Sequence, residues 1–141
     1  MSSVNIMQNT NGSATLGSSP DQGLHTEAVE WIATSVDKYF YIATRPERVT
    51  AITGRTSVAG TGGAATATIR KVPSGTALTS GTALHSGSIN LVGTIDTNQS
   101  LTLSTTPGVL DLAAGDALAI DFTGTLTSAV GCASVSLSPK A

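Results

Sequence analysis

Charge is scarce in this 141-residue chain: Asp, Glu, Lys and Arg together make up 11% of it, against about 25% in an average soluble protein. The surface is therefore neutral, built from Thr, Ser, Gly and Ala. A net charge of −2 supplies no basic field for nucleic acid or an anionic membrane. Basic residues are also absent from the whole stretch between Lys71 and Lys140, where Asp96, Asp111, Asp116 and Asp121 fall, so the C-terminal half is weakly acidic. No apolar run approaches the roughly 18 to 20 residues of a membrane span. The opening MSSVNIMQNTNGS has neither a basic start nor an apolar core, so no secretory signal is expected. The Asn11 and Asn98 sequons then carry no weight. With Cys132 alone, no intrachain disulfide is possible, and a thiol among small residues is expected as a buried small hydrophobe.

Histidine is scarcer still: His25 and His85 are the only two. Nucleophilic catalysis needs a Ser or Cys beside an oriented base, and no Gly-x-Ser-x-Gly elbow is present. His85 lies among small residues and is expected to be an exposed loop histidine. Two separated histidines and one cysteine are too few for structural zinc. Asp96-Thr97-Asn98-Gln99-Ser100 imitates the start of a calcium loop, but Leu101 stands where the sharp-turn Gly belongs and Pro107 where the bidentate Glu belongs. Gly60-Thr61-Gly62-Gly63 lacks the Gly-Lys-Ser/Thr ending of a phosphate loop. No enzyme activity, metal or cofactor is expected.

What is present is short-period alternation. Residues 1–26 are polar and Gly/Ser-rich without sustained periodicity, which predicts an extended N-terminal arm, and 27–141 form the domain. Four of the five aromatic residues, Trp31, Tyr39, Phe40 and Tyr41, lie close together and favour a strand, with a short helix over 27–32 as the competing possibility. Strict parity puts Val36, Phe40 and Ile42 on one face and Tyr39, Tyr41 and Ala43 on the other. RVTAITGRTSV and TATIRKV flank a Gly-dense connector and predict a hairpin with its tip at Gly60–Gly63. On that hairpin Arg45, Arg48, Arg55, Arg70 and Lys71 would gather into a basic patch. The echo GTALTS (75–80) and GTALHS (81–86) is too short for a solenoid and predicts a loop or two short extended pieces.

Three carboxylates punctuate DLAAGDALAIDFTG, residues 111–124. Asp116 follows Gly115 as a turn residue. Leu118, Ile120 and Phe122 share one strand face and Ala117, Ala119 and Asp121 the other. Asp116 and Asp121 point to opposite faces, which argues against an acid/base pair. Counting such runs gives eight to nine short strands with turns about every ten residues, an all-β pattern of antiparallel sandwich or barrel type.

The segments RPERVTAITGR (45–55), ATIRKVPSGTAL (67–78) and LDLAAGDALAIDFTGTLT (110–127) resemble those of the jelly-roll decoration, or cement, proteins of bacteriophage heads. The likeness covers about residues 30–141. It implies a jelly-roll β-sandwich of about eight strands, made in the host cytoplasm. It further implies a homotrimer that sits on the outside of the capsid and binds the major capsid protein, with no enzymatic, membrane or nucleic-acid role. Candidate capsid- or subunit-facing residues are Val4, Ile6 and Leu16 of the arm, together with Trp31, Arg45, Arg48 and Arg55. The alternative is a carbohydrate- or receptor-binding jelly roll of a phage fibre or appendage, for which Trp31, Tyr39 and Tyr41 are the available aromatic platform.

Overall fold

The computed structural model describes residues 23–140 and, before them, only the backbone of β1 (Asn5–Ile6) and β2 (Asn9–Thr10), which pair antiparallel. The rest of the expected arm, Val4 and Leu16 included, lies outside the described residues, and so does the side chain of Ile6. The sandwich is made of β3 (His25–Trp31), β4 (Lys38–Ile42), β5 (Glu47–Val58), β6 (Ala65–Val72), β7 (Thr82–Ala83), β8 (Ile89–Asn90), β9 (Gln99–Ser100), β10 (Asp111–Leu112), β11 (Ala117–Gly124) and β12 (Val130–Pro139). Residues 27–31 are thus strand, not helix, Ile32 lies just past its end, and the strand starts at His25, ahead of the boundary drawn from composition. The only helical piece among the described residues is a 3₁₀ turn at Leu78–Ser80.

Two five-stranded antiparallel sheets face each other. In the first, β3, β12 and β5 run side by side, with β10 and β9 both on the far edge of β5. In the second, β4, β11 and β6 do the same, with β7 and β8 on the far edge of β6. Taking β7 with β8 and β9 with β10 as interrupted strands leaves eight successive spans, ordered 1-8-3-6 and 2-7-4-5. Nearly every connection crosses between sheets, and the result is a jelly roll.

This topology overturns the predicted hairpin. β5 has both edges taken, by β12 and by β9 and β10, while β6 has both taken by β11 and by β7 and β8, so the two never pair. Gly60–Gly63 is an inter-sheet crossing, whose Gly60 N–H donates to Leu91 O and Thr61 N–H to Thr127 O. The basic patch goes with it: Arg48 and Arg55 belong to one sheet, Arg70 and Lys71 to the other.

The core lies between the sheets. Val29, Trp31, Val49, Ile52, Ala133, Val135 and Leu137 come from the first, and Ala65, Ala67, Ile69, Leu118 and Ile120 from the second. Register shifts explain where simple parity fails. On β12, Ser136 pairs with Ala51 and Leu137 with Val49, so Thr50 is bulged and the inward positions jump from Val49 to Ile52. On β4, Leu118 pairs with Tyr41 and Ala119 with Tyr39, so Phe40 is bulged. Phe40 and Tyr41 therefore both pack on the core while Tyr39 and Ile42 are exposed, correcting the alternation expected there. Leu118 and Ile120 face inward with Phe122, as parity predicts. Ala117 and Ala119 are on the outer face, yet buried, because each methyl sits between two longer neighbours: Ile42 and Val72 flank Ala117, Tyr39 and Arg70 flank Ala119.

Gly131 shows how sequence serves this packing. It stands opposite Trp31 in the ladder, and a Cβ there would come within 2.6 Å of the indole. Only glycine leaves room for the ring.

Candidate functional site

The unusual chemistry of the molecule sits where β3, β4 and β5 meet. Glu47 opens β5 at an inward position, sharing parity with Val49, and its side chain is fully buried. Three elements supply its partners. His25 of β3 places Nε2 at 2.5 Å from Oε2. The Tyr41 hydroxyl of β4 donates to Oε1. Arg45, half exposed in the turn before β5, holds Nε at 3.7 Å. The other ring nitrogen of His25, Nδ1, is 2.9 Å from the Glu27 carboxylate.

The electrostatics follow. Hydrogen bonding to Glu47, supported by Glu27, raises the His25 pKa against the opposing effect of burial, so the ring is held as an imidazolium that donates from both nitrogens. Burial alone would push the Glu47 carboxyl up; the Tyr41 hydroxyl, His25 and Arg45 outweigh it and hold it below its usual value. Burial, then the adjacent Glu47 carboxylate, push the Tyr41 hydroxyl well above its ordinary range. Chemically this is a clamp: the imidazole has no free lone pair with which to take a proton from a nucleophile.

His85 is the second correction. It is buried rather than exposed. Its Nε2 accepts the N–H of Ile69 at 2.9 Å, and Nδ1 donates to Ser86 O at 3.2 Å. Ile69 lies between the stretch of β6 paired with β7 (Arg70, Lys71) and the stretch paired with β8 (Thr66, Ala67). The imidazole thus takes the acceptor place of a missing ladder residue. Burial lowers its pKa, as this neutral acceptor role requires.

The remaining candidates disperse. Trp31 is sealed in the core, edge-on to Phe122 at 6.3 Å, with its indole N–H buried and unpartnered. It is not available to a capsid or subunit interface, a correction to its selection as an interface residue. Tyr41 is engaged with Glu47, which leaves Tyr39 alone of the proposed aromatic platform. The arginines are spaced along one strand and its entry turn, each with a partner in the chain. Arg45 donates to Gly23 O, Arg48 to Asp111 Oδ1 at 2.8 Å, and Arg55 to Asn98 Oδ1 at 2.8 Å. In the other sheet Arg70 bonds Asp121 at 2.8 Å, and Lys71 bonds the carbonyls of Gly108 and Asp111. Of the three carboxylates in 111–124, then, Asp111 and Asp121 are salt-bridge partners. Asp116 accepts the N–H of Ala113 in the turn expected for it. Cys132 is exposed, not buried: it lies outward between Glu30 and Arg55 in the register of the first sheet.

Sequence reasoning gives Glu47 no role. The signal was its parity: an acid two residues before Val49 on an alternating strand points inward.

No family model matches the chain, and no curated protein does. Among solved structures, a subunit described under "Bacillus endospore appendages form a novel family of disulfide-linked pili" is 17% identical, over 93% of this chain and 100% of that one, with a TM-score of 0.39. A chain of the cyanophage Pam1 capsid asymmetric unit is 15% identical, over 92% and 94%, with a TM-score of 0.46. A chain of infectious bursal disease virus, Gx strain, is 14% identical over 80% of this chain and 31% of that one, with a TM-score of 0.38.

Proposed function

We propose that the chain is a structural protein of a phage virion, which binds the outside of the head and stabilises contacts between major capsid subunits. The observation that carries this reading is the outer face of the β3–β12–β5 sheet. Its central rows are Thr26, Ser136 and Ala51, then Ala28, Ser134, Thr53 and Ser100, with the charged residues Glu30, Arg55 and Arg48 confined to the rows at either end. Short side chains lose little rotamer entropy when a partner covers them, unlike the long charged ones of an ordinary surface. A face with a hydroxyl-rich centre is thereby suited to lying on another protein. The histidine geometry supports a non-enzymatic role, since both imidazoles spend their nitrogens on structure. The carbohydrate-binding alternative loses support, because two of its three aromatic residues are engaged in packing.

Stabilisation follows from linkage: a ligand that binds the assembled shell and not the loosened one adds RT ln(1 + [L]/Kd) per site, and many sites on one shell add up. The test uses heads of the encoding phage lacking this protein. Added wild-type protein is expected to co-sediment with them and to raise the temperature at which they release their contents. Ser134→Lys with Ser136→Lys, placed mid-face on the outer side, is expected to leave the circular dichroism unchanged and abolish co-sedimentation. Equal heat survival of bare and decorated heads refutes the cementing role.

A further inference from the structure

The cluster around Glu47 also holds the first residues of β3 in place. Gly23, at positive φ, lies against Pro139, and its carbonyl accepts a hydrogen bond from Arg45. Two residues on, His25 is bonded through one ring nitrogen to Glu47 and through the other to Glu27. Little else secures this end of the strand. Among the described residues β3 is laddered on one side only, to β12, with His25 opposite Leu137 and Thr26 opposite Ser136. Leu24, Thr26 and Ala28 are exposed and His25 and Glu27 are partly so, whereas Val29 and Trp31 are buried. The apolar anchoring of β3 therefore begins at Val29, and residues 23–28 depend on the imidazole and on Arg45. The Arg45 bond to Gly23 is exposed, so water replaces it at little cost.

The imidazole fits its place only as a cation. Nδ1 stands 2.9 Å from Glu27 and Nε2 stands 2.5 Å from Glu47, and a neutral ring has one N–H and one lone pair. Loss of the proton turns one of these contacts into lone-pair repulsion. The His25 side chain is 28% exposed, so the proton exchanges with solvent while the fold is intact. Around the ring, β3 contributes Glu27, β4 the Tyr41 hydroxyl, the turn before β5 Arg45, and β5 Glu47. On the β12 side Ser136 and Leu137 border it, and neither titrates; Lys140, beyond β12, is directed to Asp111. Hydrogen bonding to Glu47 outweighs burial and, with Glu27, holds the ring's pKa above its ordinary value. Glu47 is not stranded when that proton leaves. Tyr41 still donates to Oε1, and Arg45 already stands 3.7 Å from Oε2. The tie between the sheets through Tyr41 therefore outlasts the tie to β3.

We propose that His25 is a pH-operated latch on the start of β3: loss of its proton frees residues 23–28 from β12 while the sandwich from Val29 onward stays folded. The segment ahead of residue 23 is thereby joined to the sandwich at Gly23 on the acid side and only at Val29 on the alkaline side. The latch belongs to the isolated protein and does not depend on capsid binding.

The test is hydrogen exchange on the full chain, resolved by NMR from pH 6 to 9, with each amide's rate divided by that of an unstructured peptide at the same pH. In the wild type, amides within residues 24–28 that are protected at pH 6 are expected to lose protection from about pH 6.5, the ordinary histidine value. The loss is expected to be up to about tenfold per pH unit, the limit for one proton, and to level off above the pKa of the folded ring. It should be the same with and without low urea, because a local opening exposes little surface. Amides of β11 are expected to stay far better protected and to weaken with urea, as global unfolding requires. His25→Gln has no proton to lose and is expected to abolish the pH response at 24–28. Glu27→Gln, at a partly exposed carboxylate, keeps the titrating ring and lowers its folded pKa, so the loss should level off at a lower pH. Residues 24–28 overturn the latch if they lack protection at pH 6, if they ignore pH, if they follow β11 under urea, or if they still respond in His25→Gln. Should His25→Gln not fold, Glu27→Gln decides, and a loss that levels off at the wild-type pH overturns the proposal.

Discussion

Each flank of this sandwich holds one of the chain's two histidines, and the two are used in opposite ways. On the β7–β10 side the sheets are joined by backbone: Ser86 N–H donates to Thr102 O and Ser104 N–H to Leu84 O. Beside that seam the His85 side chain serves β6 as a neutral acceptor. Among the described residues no ladder joins β3 to β4. There the sheets are tied by side chains converging on Glu47, and His25 is a charged donor. Backbone closure joins the two sheets by ladder bonds, whereas on the other flank, among the described residues, they are held by side chains. The flank that is chemically most elaborate is thus the one without a backbone seam among the described residues.

The comparison breaks hardest at Glu47. Glu47→Ala leaves the His25 cation and the Tyr41 hydroxyl without their buried acceptor, and removing one member of a buried pair costs about 3–5 kcal/mol. A matching fall in the urea midpoint is expected. Glu27→Ala, at a partly exposed carboxylate, is expected to lower stability by no more than about 1 kcal/mol. Equal effects would mean that Glu47 is no hub. The backbone-closed flank is expected to be less sensitive. His85→Leu keeps the bulk but strands the Ile69 N–H in a dry interior, which costs about 1–3 kcal/mol. Hydrogen exchange locates the loss: amide protection should fall at Ile69 and its neighbours on β6 and hold on β3 and β4.

How much of this was legible beforehand depends on whether the information is local. Alternation within β6, β11 and β12 is local, and it predicts an all-β sandwich with Leu118 and Ile120 on one face; the structure puts that face inside, along with Val135 and Leu137 of β12. The same parity places Cys132 outward with Ser134 and Ser136, and here strand position outweighs the general preference of cysteine for the interior. The bulges at Thr50 and Phe40 were not readable, because a bulge is set by the register of the partner strand, and that partner is remote in sequence. The same distance hid the crossing after β5: a Gly-rich connector is compatible with a hairpin or an inter-sheet passage, and only the occupied edges of β5 decide. The echo makes the point most simply. GTALTS ends in a 3₁₀ turn with Leu78 partly exposed, while GTALHS supplies β7, the buried Leu84 and the buried His85. One changed residue and a different neighbourhood separate a surface turn from a seam.

The smallest expected effect is also the sharpest test of the contrast, because it rests on sign. His25 has a raised pKa in the fold. Its contribution is therefore fully present below about 6.5, the unfolded value, and is lost as pH rises through the higher folded value. His85 has a lowered pKa, so its contribution is present above about 6.5 and drains away as pH falls towards the lower folded value. Neither can change stability by more than about 1.4 kcal/mol per pH unit, the limit for one proton. In the wild type the two losses fall on opposite sides of the neutral range, and stability is expected to peak there. The single variants separate them. His25→Gln removes the loss on the alkaline side and keeps the acid-side one; His85→Gln does the reverse. Urea midpoints measured from pH 5 to 9 read both limbs directly. If the two variants lose the same limb, the histidines do not differ in charge, and the distinction between a flank closed by backbone and a flank closed by an ion pair fails with them.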